Sequence, residues 1–272
     1  MLRDLLVHVD GSEAGRRRVQ FAANLAVRTG ARLDGIHVTP PAEVPPRYKP
    51  SRVDEVAANL SLRLALDAQA AAAVFNEETK GRLADACWFE AEGNVTDSIT
   101  QRARYADLVI LGQYEWQGSP ETHPLPIAHS VVIRCGRPVL IVPAAPERSA
   151  LARIAIAWDG SREAVRSVHD ALPLLRLAQS VQVVMKIPPT AEDIDTASLL
   201  THLARHGIET GADTLQIGTD DEHLSLRNQI EQGHYDLLVM GAYSHPIWLE
   251  IIFGGATQSI LLSSKIPVLV SH

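Results

Sequence analysis

The chain contains one pattern twice, and this duplication constrains its fold more than any single motif. Asp10-Gly11-Ser12 recurs as Asp159-Gly160-Ser161, each after a short apolar run, Leu5-Leu6-Val7 and Ile154-Ala155-Ile156. Asp107-Leu108-Val109-Ile110-Leu111-Gly112 recurs as Asp236-Leu237-Leu238-Val239-Met240-Gly241. Pro138-Val139-Leu140-Ile141-Val142 is echoed by Pro267-Val268-Leu269-Val270. Residues 4–39 align with 153–188 at an offset of 149, and 107–142 with 236–271 at an offset of 129. The first copy therefore carries about 20 extra residues in its middle, part of them in a stretch with Pro40, Pro41, Pro45, Pro46 and Pro50. A repeat of this length is a domain copied once, not a solenoid unit.

Each copy alternates short apolar runs with helical periodicity. In the first, strands are expected at Leu5–Val9, Leu33–Val38, Cys87–Ala91, Leu108–Leu111 and Val139–Val142. Helices are expected from Ser12 to Thr29, over Val53–Glu78, Val95–Arg104 and Ile127–Cys135. Val19, Ala22, Ala23 and Ala26 form one apolar face, and Val53, Val56, Ala57, Leu60 and Leu64 another. In the second copy, strands fall at Ile154–Trp158, Val181–Ile187, Asp213–Ile217, Leu237–Met240 and Val268–Val270, and helices near 161–178, 194–208, 224–233 and 256–264. Short apolar strands separated by helices imply a parallel sheet covered on both faces. The fold class is α/β: two tandem doubly wound domains, 1–145 and 150–272, with residues 143–149 as the linker.

Composition removes several classes of function. A 272-residue chain with 46% hydrophobic and 21% charged residues suits two soluble globular domains. A net charge of −7 argues against nucleic acid or an anionic membrane as partner. The densest basic cluster, Arg16-Arg17-Arg18, falls in an expected helix and reads as a solvated face. No apolar run approaches the ~18–20 residues of a membrane span, and no leader is read at Met1-Leu2-Arg3-Asp4. Cys87 and Cys135 are too few for a disulfide framework, so a reducing cytoplasm is the expected location.

In open parallel sheets ligands bind beyond the carboxyl ends of the strands. Three features of the second copy converge there. Asp159, after the first strand, offers a carboxylate to a ribose hydroxyl, with Gly160 in the turn and Ser161 as a helix cap; the same tripeptide also reads as a plain turn. Gly241, with Ser244 and His245 after it, follows the fourth strand, where glycine permits close approach to the backbone. Gly254-Gly255, with Thr257 two residues later, opens a helix whose free N–H groups suit phosphate, or is a flexible turn. The lysine of a Walker A loop is missing, and the spacing is not Gly-x-Gly-x-x-Gly.

The pattern Gly241-x-x-Ser244-(nine residues)-Gly254-Gly255 resembles the nucleotide loop of the universal stress protein family, Gly-x-x-Gly-(nine residues)-Gly-Ser/Thr. Ile187 stands 28 residues after Asp159, and the Pro-Val-Leu-Val ending is also typical of that family. The resemblance covers nearly all of the chain, twice. It implies a five-stranded parallel sheet per domain and an intramolecular pseudo-dimer joined through the last strands. It also implies ribose at Asp159, the adenine edge at the Ile187 backbone, ribose or phosphate at Gly241, and phosphates at Gly254 and Gly255. Ser244 and Gly255 depart from the pattern, so the site is altered. The first copy departs further, with Glu115, Leu125 and Pro126 opposite Ser244, Gly254 and Gly255. Its Asp10, Val38 and Gly112 read as structural remnants.

No nucleophile and base stand in a catalytic pattern. His202 and His206 are four apart on a helix without an evident third ligand, and His123 and His129 lie in or beside the degenerate loop. No metal site is expected. Trp116 and Trp248 fall in equivalent loops and read as packing or interface residues. The leading expectation is a stress-response sensor or regulator that binds ATP, ADP or AMP in its second domain with little turnover, any hydrolysis needing Mg²⁺. A regulatory protein is the implied partner, and further homodimerisation is open. The rivals are a nucleotide-free protein-association module and a slow ATP-hydrolysing enzyme.

Overall fold

The structure, a computed structural model, describes residues 1–43, 53–113, 127–148, 150–186, 195–215, 228–230, 232–242 and 256–272. They fall into two compact units. The first runs from Met1 to Gly112 and takes in the helix that ends at Cys135; the second takes in Gln113 and runs from Pro138 to His272.

The first unit contains β1 (Asp4–His8), α1 (Glu13–Thr29), β2 (Arg32–Thr39), α2 (Val53–Thr79), β3 (Ala86–Glu92), α3 (Val95–Ala103), β4 (Leu108–Gly112) and α4 (Ile127–Cys135). β1 pairs in parallel with β2 on one side and β4 on the other, and β2 pairs in parallel with β3. The spatial order is therefore β3-β2-β1-β4. Leu5, Leu6, Val7, Val109 and Ile110 are buried, as expected where helices cover both faces of a parallel sheet.

The second unit contains β5 (Val139–Val142), β6 (Arg153–Trp158), α5 (Arg162–Leu175), β7 (Ser180–Lys186), α6 (Thr196–Arg205), β8 (Thr210–Leu215), β9 (Leu237–Gly241), α7 (Ala256–Ser263) and β10 (Val268–Ser271). β8-β7-β6-β9-β10 form a parallel set in the same order as the first unit. β5 lies antiparallel to β10, with Leu140 opposite Leu269. The two closing strands thus pair with each other, which covers an edge that would otherwise expose unpaired backbone groups. Gln113, just beyond β4, is tied into this unit: its N–H donates to the Val142 carbonyl, and its side-chain amide reaches the carbonyls of Leu261 and Ser264, both at 3.0 Å.

Local chemistry sets the helix starts. Ser12 caps α1 by accepting from the Gly15 N–H at 2.9 Å, and Ser161 caps α5 by accepting from the Ala164 N–H at 3.2 Å. α6 begins later than expected because Asp195 caps it, accepting from the Ser198 N–H at 2.9 Å. β8 begins at Thr210, three residues before its expected start, because its register is set by pairing Thr210–Leu215 against Val181–Lys186. Of the helix expected near 224–233, residues 228–230 and 232 are helical.

α2 differs in what it buries. The face through Val53, Val56, Ala57, Leu60 and Leu64 stays half-buried or exposed, and the core contact comes from Ala71, Val74, Phe75 and Thr79 near the C-terminal end. Phe75 lies under Gly35 on β2, where a Cβ would come within 2.5 Å of its ring. The buried positions of the helix therefore fall in its last third. Among the described residues no helix is long and apolar enough to cross a membrane.

Candidate functional site

Strand order reverses between β1 and β4 in the first unit and between β6 and β9 in the second. The chain leaves neighbouring strands in opposite directions there, opening a crevice at their carboxyl ends. Asp10 and Gly112 flank one such point, and Asp159 and Gly241 flank the other. The two Asp-Gly-Ser turns are thus equivalent in sequence and in position. Their surroundings are not.

In the second unit, Asp159 is exposed, and among the described residues no cation pairs with it. One of its oxygens accepts from the Ser161 N–H at 2.9 Å, which orients the carboxylate; the other has no partner among the described residues. Trp158 precedes it, with an indole N–H that is buried and has no partner among the described residues. Gly241 has a packing reason of its own: a Cβ there would come within 2.5 Å of the Ala164 backbone nitrogen in the first turn of α5. The carboxyl end of β9 and the amino end of α5 therefore meet closely. Ser167, one turn further along α5, is fully buried and donates back to the Ala164 carbonyl at 2.8 Å.

In the first unit the same place is filled from within. Arg18 is not part of a solvated face: it is 5% exposed, whereas Arg17 is exposed and Arg16 half-buried. Its Nη2 donates to Asp10 at 2.5 Å and its Nε to the His8 carbonyl at 2.7 Å. Its Nη1 lies over Gly112, only 2.0 Å from where a Cβ would sit. The glycine that ends β4 thus makes room for a guanidinium. The turn is held from the other side as well, because Asp67 of α2 accepts from the Gly11 N–H at 2.8 Å. Ser12 adds two hydrogen bonds to Asp10, one from its N–H at 3.0 Å and one from its hydroxyl.

These contacts set the protonation states. Burial alone would raise the Asp10 pKa, but the Arg18 charge and the hydrogen bonds from Ser12 and Arg18 hold it at about 2. Burial, reinforced by the Arg18 charge, pushes His8 down to about 3, so it stays neutral. His129 is pushed down to about 4 by burial.

Arg18 was legible in principle. It stands four residues before Ala22, on the stripe that also buries Gly15, Val19 and Leu25. The run of three arginines masks this, because charge composition carries no helical phase. Of the other expected site residues, Gly160 sits in the turn with a positive φ of 75°, which favours glycine. Ile187, Ser244, His245, Gly254 and Gly255 lie outside the described residues, as do Glu115, His123, Leu125, Pro126, Trp116 and Trp248. Thr257 falls in the first turn of α7.

The histidine pair has a third neighbour that sequence spacing missed. The His202 ring lies 4.6 Å from His206 and 5.1 Å from His169 of α5, centre to centre. Burial and the nearby His206, His169 and Arg205 lower the His202 pKa. Arg176 donates to His206 Nδ1 at 3.0 Å, placing a cation beside the group. Among the described residues no set of three His, Cys, Asp or Glu side chains is arranged to hold a metal.

A model of the universal stress protein family matches residues 1–143. No curated protein matches the chain. Among solved structures, a universal stress protein from Archaeoglobus fulgidus DSM 4304 is similar with a TM-score of 0.72 at 16% identity, over 98% of this chain and 97% of that one. A putative universal stress protein from Pseudomonas aeruginosa UCBPP-PA14 is similar with a TM-score of 0.57 at 13% identity, over 99% and 93%. At these identities the structural likeness speaks to the fold.

The asymmetry of the two turns has a thermodynamic consequence. Asp10→Ala strands a buried guanidinium and is expected to cost about 3 kcal/mol or more, as for a broken buried ion pair. Asp159→Ala, at an exposed position, is expected to stay within about 0.5 kcal/mol. Urea unfolding of the two variants measures both, and equal losses would contradict the assignment.

The lowered histidine pKa values also fix the sign of the acid response. Unfolded His8 and His129 take up protons below their ordinary value of 6.5, and the folded groups do so only near 3 and 4. Their contribution is therefore present above pH 6.5 and lost as pH falls toward those values. Asp10 acts in the same direction, between 3.8 and about 2. Thermal melts at pH 7.5 and pH 5 are expected to show a drop in Tm that shrinks in His8→Ala; an unchanged drop would remove His8 from the account.

Proposed function

The chain belongs to the universal stress protein family, and from that premise we propose that it binds an adenine nucleotide in its second repeat and acts as a stress-response sensor or regulator. The observation that carries this reading is the state of the two carboxylates. Asp159 stands at a strand-order reversal, oriented by the Ser161 N–H and exposed. Asp10, its counterpart, is spent on Arg18. A ribose diol needs an acceptor of the first kind, since a carboxylate already neutralised by a buried guanidinium has little left to offer.

Around Asp159 the reading assigns Gly160 and Ser161 to the turn that aims the carboxylate. Ile187 meets the adenine edge, Gly241 and Ser244 line the path of ribose and phosphate, and His245 faces the phosphates. Gly254, Gly255 and Thr257 receive the phosphates at the start of α7. ATP, ADP and AMP share the features recognised, and Mg²⁺ would accompany the triphosphate. Turnover is slow or absent, because the sequence has neither a Walker lysine nor an evident general base. The nucleotide state would then be read by a regulatory protein in the cytoplasm, with the domains as sequence units 1–145 and 150–272.

A second reading, protein association without nucleotide, draws support from Ser244 and Gly255, the two departures from the family loop. Isothermal titration with ATP and AMP separates the two. Wild type is expected to bind, and Asp159→Ala to weaken binding at least tenfold. Absence of heat with wild type, together with no adenine nucleotide released on denaturing the purified protein, would favour the second reading.

A further inference from the structure

Helical phase places Arg18 of α1 and Ser167 of α5 at the same position of the repeat, at an offset of 149. Both are buried, but Arg18 lies over Gly112, the last residue of β4, whereas Glu163 and Ala164 of α5 lie over Gly241, the last residue of β9. Ser167 turns inward, its hydroxyl bound to the Ala164 carbonyl. Arg18 reaches outward across the crevice, filling the space above Gly112 and neutralising Asp10. We propose that this position decides which repeat accepts a ligand, with Arg18 acting as a built-in competitor for the nucleoside in the first unit. The proposal rests on the reading of Asp159 as the ribose acceptor.

The chemistry is specific. A nucleoside recognised by its vicinal diol needs a carboxylate oxygen that is not already neutralised; Ser12 engages one oxygen of Asp10, and the other is the one Arg18 takes. Arg18 thus occupies the oxygen that corresponds to the one Ser161 leaves open on Asp159. The carboxylate is otherwise well prepared in the first unit: the Ser12 N–H orients it at 3.0 Å, and Asp67 holds the adjoining Gly11 N–H at 2.8 Å. Neither of these contacts involves Arg18, so removing the guanidinium leaves the acceptor in place. Solvent takes over its charge, because the Asp10 side chain is already 33% exposed. The competitor is also permanent. An arginine stays protonated throughout the physiological range, so the first unit is closed at every pH at which the fold survives.

The ligand class admitted on opening is a nucleoside and not a nucleotide, since Leu125 and Pro126 stand where the second repeat has Gly254 and Gly255. Adenosine is therefore the probe. The test uses the full chain carrying Asp159→Ala to silence the second unit, with and without Arg18→Ser, the residue the second repeat carries. Saturation-transfer NMR and titration calorimetry with adenosine are expected to show at least tenfold tighter binding in the double variant than in Asp159→Ala alone. The reciprocal variant, Ser167→Arg in the otherwise native chain, is expected to weaken adenine nucleotide binding at least tenfold, with circular dichroism confirming that it folds.

A folded Asp159→Ala/Arg18→Ser chain with no gain in adenosine binding would overturn the proposal. So would Ser167→Arg binding nucleotide within twofold of wild type. If Arg18→Ser fails to fold, the reciprocal variant decides alone. Native chain that binds no nucleotide counts against the reading of the second site, and the Arg18→Ser arm then decides this proposal by itself.

Discussion

A parallel strand buried on both faces has to send its polar chemistry to its ends. In both units the central strands carry apolar residues in continuous runs, Leu and Val in β1 and Ile and Ala in β6, and neighbouring helices cover them. Backbone hydrogen bonds satisfy the strand interiors. Polar side chains that could meet a ligand are left to the loops and helix starts beyond the strands. Strand order then selects among those loops, because only where it reverses do two adjacent loops part and leave a crevice. Asp10, Gly112, Asp159 and Gly241 occupy those places for this reason.

Duplication supplies the same crevice twice, and side-chain identity at a few positions makes the copies diverge. A carboxylate at such a point has two stable fates: it stays exposed and without a cation, or it is paired with a buried one. Asp159 follows the first and Asp10 the second. The second carries a structural obligation, because a guanidinium that is 5% exposed needs all its partners. His8 supplies its carbonyl and remains neutral beside the charge. The long α2 contributes Asp67 to the same turn. The extra length of the first repeat thus helps to fix a closed crevice, whereas the shorter α6 of the second unit makes no matching contact among the described residues.

Most of the architecture was legible because it rests on periodicity. The strands beginning at Leu5, Leu108, Ile154 and Leu237 are continuous apolar runs bounded by turn residues, and the structure moves their ends by one residue or less. Ser12 and Ser161 were legible as caps for the same local reason. Features that depend on tertiary contact were harder to see. The expected apolar face of α2 begins at Val53, yet burial begins only at Ala71. Register with β7 moved the start of β8. His169 joins His202 across two helices far apart in sequence. Arg18 is the instructive miss, because its charge argued for the surface and its phase for the core. Phase prevailed because Asp10 was there to receive the charge.

The central claim is that two turns of identical sequence differ in availability, and amide hydrogen exchange with and without saturating Mg·ATP tests it in the native chain. The account predicts slowed exchange in peptides covering residues 158–166 and no change in those covering 9–17. Protection at 9–17 without protection at 158–166, or equal protection at both, would contradict it.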